Sequence, residues 1–290
     1  MPEIPFLEIL AENLAARVSG RRIESILIRQ PALLQTASPP PESFTGEFLS
    51  LPTRVGKYLA LETESRRAIV IHLMRAGRID VKPGDAAGRK TGAGYPKHLS
   101  ARIGFDDGTR LDLVEHGKEK RAKLWLVEDL ADVPELGRLG PDPSRGELSP
   151  EGFAEALRGA SRQLKKFLTD QRALAGIGNG LSDEILYEAR LSPMKLSPSL
   201  DQEEAAALYD AVVRVLSDQT EKLRRSAAGE LPQKEPREHY VVHDHAGEPC
   251  PKCGTTIARV SFADHDLFYC PGCQTGGKPL KDRRLSKLLK

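Results

Sequence analysis

Residues 250–274 read CPKCGTTIARVSFADHDLFYCPGCQ, and all four cysteines of the 290-residue chain lie within them. They form two Cys-x-x-Cys pairs, Cys250 with Cys253 and Cys270 with Cys273, with sixteen residues between the pairs. Each pair turns tightly enough to aim two thiolates at one point. Two pairs therefore supply four sulfur ligands in the tetrahedral arrangement that structural Zn²⁺ prefers. Two disulfides would need an oxidising compartment, and a redox pair would not need the second motif. One structural Zn²⁺ per chain is expected, with no coordination position left open for catalysis. The intervening TIARVSFADHDLFY is then a β-hairpin. Zinc ribbons serve many nucleic-acid proteins, so the module alone does not choose a function.

Upstream, the polar connector SAAGELPQKEPREH (226–239) follows DQEEAAALYDAVVRVLSDQTEKLRR (201–225), a strong helix by propensity and caps. SPMKLSPSL (192–200) breaks it from an earlier helical region. That region begins after the linker LGPDPSRGELSPEG (139–152), where Ser149, Pro150 and Glu151 signal a helix start. Within it, DQRALAGIGNGLSDEILYEARLSP (170–193) places Gly176, Gly178, Asn179 and Gly180 just before a helix beginning near Leu181. Exposed N–H groups and the dipole at a helix start favour a phosphate oxygen, and Asn179 could add a donor. A plain glycine-rich turn between two helices accounts for the same residues. The Gly-Lys-Ser/Thr ending of a mononucleotide P-loop is missing.

Residues 1 to about 135 change character. FLEILAENLAARVSG (6–20) spaces Leu7, Leu10, Leu14 and Val18 along one helical face and stops at Gly20. RRIESILI, KYLALE, AIVIHL, ARIGFDDGTRLDLV and AKLWLV read as strands, with Asp106-Asp107-Gly108 as a hairpin turn. In VGKYLALE (55–62) a period of two puts Lys57 on the side of Val55, Leu59 and Leu61, where a charge must snorkel, pair or face a cleft. SPPPES (38–43) and PGDAAGRKTGAGYP (83–96) read as exposed loops, the second long enough to touch a ligand. The chain begins MPEIPFLE. Removal of the initiator Met would leave Pro2 with a free secondary amine, a potential carbonyl nucleophile; an ordinary start to the chain is the bland alternative.

Net charge is only +2, but the tail KPLKDRRLSKLLK (278–290) sets six basic residues against Asp282. Such an end can neutralise phosphates or simply be a solvated terminus. No apolar run approaches the roughly 20 residues of a membrane span, and no signal peptide is evident, so a cytoplasmic protein with no membrane partner is expected.

Four separated features then coincide: MPEIP at the start, KYLALE, LGPDP followed by LKKFLTDQRALAGIGN, and HAGEPCPKCGTTI with FYCPGCQ. In order and spacing across essentially the whole chain they resemble the formamidopyrimidine-DNA glycosylase and endonuclease VIII family. The resemblance implies an α+β multidomain fold. It would have a two-layered β-sandwich with a leading helix (1–135), a helix-two-turns-helix domain (136–230) and a zinc-finger hairpin with a basic tail (231–290). It also implies a monomeric base-excision-repair glycosylase with AP lyase activity, acting on damaged double-stranded DNA through a flipped nucleotide. Pro2 matches the family nucleophile, Glu3 the adjacent proton shuttle, and Lys57 the lysine that contacts phosphate and assists elimination. His98, Lys165 and Asn179 match DNA-contacting positions, and His265 stands where the zinc hairpin carries a phosphate-gripping arginine. That last change implies products ending mainly at β-elimination. Phe6 replaces an acidic residue, Arg75 falls where a methionine wedge is usual, and EHGKEKRAKLW (115–125) replaces the segment that probes the opposite strand. The lesion and the opposite-base preference are therefore not carried over. A catalytically weak relative that binds abasic or distorted DNA is the other reading.

Overall fold

The computed structural model describes residues 1–84, 97–117, 119–235, 237–263 and 265–280. The basic tail beyond Leu280 and residues 85–96 of the second exposed loop lie outside them. Contacts divide the chain into two compact units, Met1–Arg138 with Leu223–Glu235, and Leu139–Lys222 with Pro236–Lys290. Beside the expected breaks at 135/136 and 230/231, the difference is physical. The end of the long helix and the start of the connector pack with the N-terminal region, and the helical and zinc-binding regions share one unit.

The first unit opens with helix α1 (Ile4–Val18), whose Leu7, Leu10, Leu14 and Val18 are all fully buried, as their spacing predicts. Each such side chain contributes about 1.5–3 kcal/mol on burial. Two four-stranded antiparallel sheets follow. One has the order β1 (Ile23–Ile28), β6 (Leu99–Phe105), β7 (Arg110–Glu115), β5 (Gly77–Lys82); the other has β2 (Thr53–Val55), β3 (Tyr58–Glu62), β4 (Ala68–His72), β8 (Lys123–Val127). Alternation sends Leu59, Leu61, Ile69, Ile71, Leu124 and Leu126 from one sheet, and Ile79, Ile103, Leu111 and Leu113 from the other, into a shared core with α1. The outward face of the second sheet buries Ala68, Val70, Trp125 and Val127 in a separate cluster with Val133. The β6–β7 hairpin turns through Gly108 at φ +81°, as the Asp-Asp-Gly signal predicts.

In the second unit, Ser149 caps α2 (Pro150–Gly159) by accepting from Gly152 N at 3.1 Å. The short α3 (Leu164–Thr169) and α4 (Asn179–Glu188) flank the glycine-rich turn. Helix α5 (Gln202–Ala227), which runs from this unit into the first, starts at a reciprocal capping box. There Glu204 N donates to Asp201 Oδ1 at 2.8 Å and Asp201 N to Glu204 Oε2 at 3.2 Å. The hairpin between the cysteine pairs is β9 (Ala258–Ser261) with β10 (Asp266–Tyr269), followed by α6 (Pro271–Thr275).

Candidate active site and nucleic-acid-binding elements

Pro2 and Glu3 are buried, whereas the Met1 side chain is 45 % exposed. Glu3 occupies the N-cap of α1 in extended conformation, and its carbonyl accepts from Leu7 N at 3.1 Å. The terminal amine therefore sits at the positive end of a four-turn helix. Burial lowers the pKa of the Met1 amine, the Glu235 and Glu3 side chains oppose that shift, and Lys57 and Arg75 reinforce it.

Lys57 reaches the same cluster by a route that corrects the sequence reading. Val55 pairs with Tyr58, so Gly56 and Lys57 form a two-residue hairpin turn, with Gly56 at φ +56°, rather than part of an alternating strand. The turn is fixed from beneath. The buried Arg54 donates from Nη1 to Gly56 O at 3.1 Å and from Nε to Glu8 Oε2 at 2.6 Å, which ties it to α1. Desolvation lowers the pKa of the Lys57 ammonium, and the carboxylates of Glu3 and Glu235 work against it. Lys57 is half-buried and, among the described residues, makes no hydrogen bond or ion pair.

Sequence reasoning missed two further members of this cluster, His72 and Glu235, and named Arg75 only as standing where a methionine wedge is usual. His72, at the end of β4, accepts from Met74 N at Nδ1 (3.1 Å) and packs edge-on against Tyr58. Burial, with Lys57 and Lys123 adding to it, brings its pKa down to about 4, so it is neutral at physiological pH. Arg75 rides on the tight turn after it, in which Met74 adopts φ +51° and Gly77 N donates to Leu73 O at 2.9 Å. A Cβ on Gly77 would come within 2.5 Å of Leu73 O, which explains the glycine. Glu235 enters from the connector and accepts from Glu3 N at 2.8 Å. Burial and repulsion from Glu3 push its pKa up to about 8. Its position in a polar connector carried no signal. His98 stands apart from the N-terminal residues, before β6, with its ring 4.9 Å from that of His116.

In the second unit the glycine-rich turn is organised from within. Gly176 has φ +90°, its N–H donates to Gln171 Oε1 at 2.9 Å, and a Cβ on Gly180 would meet the Tyr240 ring at 2.9 Å. Lys165 is buried, which corrects the expectation that it grips a phosphate directly. Its Nζ donates to Asn179 O (3.0 Å), Ser182 Oγ (3.1 Å) and Asp183 Oδ1 (2.5 Å), filling all three donor positions. Asp183 Oδ2 also takes His243 Nδ1 at 2.8 Å, and Glu184 accepts the N–H groups of Val241, Val242 and His243 at 2.8–2.9 Å. Asn179, half-buried at the start of α4, donates from Nδ2 to Asp266 O at 2.9 Å. The helix start is thereby joined to the zinc hairpin, at whose tip His265 stacks on Phe262 with ring centroids 4.8 Å apart.

The four cysteine sulfurs lie within 4.8 Å of one another, with Cys250 3.8 Å from Cys273 and Cys253 3.4 Å from Cys270. Tetrahedral Zn–S bonds of about 2.3 Å require sulfurs roughly 3.8 Å apart, so the set fits one structural Zn²⁺. A Cβ on Gly272 would come within 2.9 Å of Cys253 Sγ, and Tyr187 Oη lies 3.3 Å from Cys250 Sγ. Among the described residues no helix is long and apolar enough to cross a membrane.

Comparison with known proteins bears on each of these regions. The N-terminal domain model of formamidopyrimidine-DNA glycosylase matches residues 1–118, its H2TH domain model matches 139–227, and a zinc finger found in FPG and IleRS matches 247–276. A formamidopyrimidine-DNA glycosylase of Heliobacterium modesticaldum is 34% identical over 283 residues, covering 94% of this chain and 100% of the relative. A structure of MutM in complex with carbocyclic 8-oxo-G containing DNA aligns with a TM-score of 0.82 at 25% identity, covering 94% of this chain and 100% of that one. Wild-type Lactococcus lactis FPG (MutM), in complex with an oxidized pyrimidine containing DNA, aligns with a TM-score of 0.82 at 26% identity and the same coverage.

Proposed function

Because the chain belongs to the formamidopyrimidine-DNA glycosylase family, a family of DNA-repair glycosylases, we propose that it excises a damaged base from double-stranded DNA and cleaves the strand by β-elimination, with the Pro2 amine as nucleophile once Met1 is removed. One observation carries this reading: the head of α1 gathers the Met1 amine, one residue before Pro2, with Glu3 and Lys57 into a single electrostatic cluster, so that removal of Met1 would leave the Pro2 amine beside the same groups. The Pro2 nitrogen forms a bond to C1′ and the base leaves with the electrons of its glycosidic bond. Glu3 gives a proton to O4′ as the C1′–O4′ bond breaks, leaving an iminium at C1′. The iminium acidifies C2′–H; the Glu3 carboxylate left by the previous step takes that proton as the C3′–O bond breaks and the 3′ phosphate leaves, with Lys57 beside it as the compensating cation. His72, neutral at physiological pH, adds no second positive charge beside Lys57.

His98, Asn179 and His265 are the proposed DNA contacts. Lys165 acts on DNA only indirectly, by holding the first turn of α4 that presents Asn179. The test is borohydride trapping on a duplex with an abasic site. A covalent adduct is expected from the wild type and none from Pro2→Gly. No adduct from the processed wild-type protein would instead support a DNA-binding relative without lyase chemistry. Duplexes carrying 8-oxoguanine, formamidopyrimidine, thymine glycol or dihydrouracil then identify the base removed.

A further inference from the structure

The connector after α5 is laid across the first unit by named hydrogen bonds. Arg17 Nη1 donates to Gly229 O and Asn13 Nδ2 to Glu230 O, at 2.8 and 2.7 Å. Gln233 Nε2 donates to Ile79 O at 3.2 Å, and the Arg78 guanidinium donates to Gln233 O. These bonds seat Glu235 with Oε1 on Glu3 N, while Oε2 is buried without a hydrogen-bond partner among the described residues. An unsatisfied buried polar atom costs about 1–3 kcal/mol, and such exceptions call for a specific explanation, a catalytic role among them. The charged groups facing Glu235 are Glu3 and the Met1 amine at the head of α1, Lys57 in the β2–β3 turn and Arg78 on β5. With its pKa pushed up to about 8, the carboxyl holds a proton at neutral pH. Since Oε1 accepts from Glu3 N–H, that proton belongs on Oε2.

We propose that Glu235 is the acid that protonates the departing base, its Oε2–H being the donor that meets the bound nucleotide. This rests on the reading of Pro2 as nucleophile. As the Pro2 nitrogen bonds to C1′, the bond from C1′ to the base breaks, its electron pair stays on the base nitrogen, and that nitrogen takes the proton from Glu235. The Pro2 nitrogen, cationic after bond formation, gives its own proton to the Glu235 carboxylate. Glu235 is restored, no proton is consumed, and Glu3 remains available for O4′ in the next step.

The experiment compares wild type with Glu235→Gln, which keeps an acceptor for Glu3 N–H but cannot release a proton. Two substrates are used: a duplex carrying a lesion that the wild type excises, and one carrying a preformed abasic site, which has no base to lose. Single-turnover excision is expected to fall by about 10²- to 10⁴-fold in Glu235→Gln. Its alkaline limb, which in the wild type descends through about pH 8, should disappear. Borohydride trapping of the abasic duplex should fall far less than excision does. Equal excision by the two proteins with coincident pH profiles would overturn the proposal. So would loss of abasic trapping in Glu235→Gln, which would make the residue a structural support, and so would a wild-type protein that traps abasic DNA yet excises no base from the panel. Failure of the wild type to trap abasic DNA at all would instead strike the Pro2 reading.

Discussion

Lys165 is buried and Lys57 half-buried, each beside acidic residues, and they are used in opposite ways. Lys165 has all three of its donor positions filled, by Asn179 O, Ser182 Oγ and Asp183 Oδ1, and Asp183 is in turn shared with His243. Lys57 faces Glu3 and Glu235 with no hydrogen bond among the described residues, and burial disfavours its charge. A buried charge whose every valence is met is part of the scaffold. A partly desolvated charge left short of partners is a cost that the fold carries for some other purpose.

The difference can be broken by substitution. Lys165→Met strands the Asp183 carboxylate in the interior, and a loss of roughly 3–5 kcal/mol of stability is expected, read as a lowered denaturant midpoint. His72 comes next. Its pKa is about 4 in the folded protein against about 6.5 unfolded, so between those values the unfolded chain binds more protons. Its contribution is present in full above about pH 6.5 and is lost as pH falls through 4, a span worth about 3 kcal/mol. His72→Asn, which keeps an acceptor for Met74 N–H, should flatten this part of the stability–pH curve. Lys57→Met should have the smallest effect on folding, within about 1 kcal/mol of wild type in either direction, because it removes a charge that burial penalises. It should nevertheless slow strand cleavage by about a hundredfold or more. A Lys57→Met protein as destabilised as Lys165→Met would erase the distinction between the two sites.

Much of the scaffold was legible because it depends on local pattern. The Leu7–Leu10–Leu14–Val18 stripe, the period-two runs of β3, β4 and β8, the Ser149 cap and the two cysteine pairs each announce their structure within a few residues. Strand β5 was not read, being a short run entered through the tight Met74–Gly77 turn. Lys57 was placed on a strand because alternation continues on both sides of a turn that only the Val55–Tyr58 pairing reveals. Lys165 sits in a motif that suggests phosphate binding, but its acceptors lie at the start of α4, across the glycine-rich turn. Glu235 was invisible because what makes it notable is a contact with a residue 232 positions earlier, between segments with no pattern in common.

That separation also has a temporal side. The terminal amine is the first part of the chain to leave the ribosome, and Glu235 follows only after most of the protein has been made. At typical elongation rates the interval is roughly 10 to 50 seconds. Throughout it the head of α1 lacks the connector that later closes over it, leaving Met1 open to an aminopeptidase working on the growing chain. On the proposed mechanism, synthesis itself orders trimming and completion of the pocket: the Pro2 amine can be unmasked before Glu235 exists.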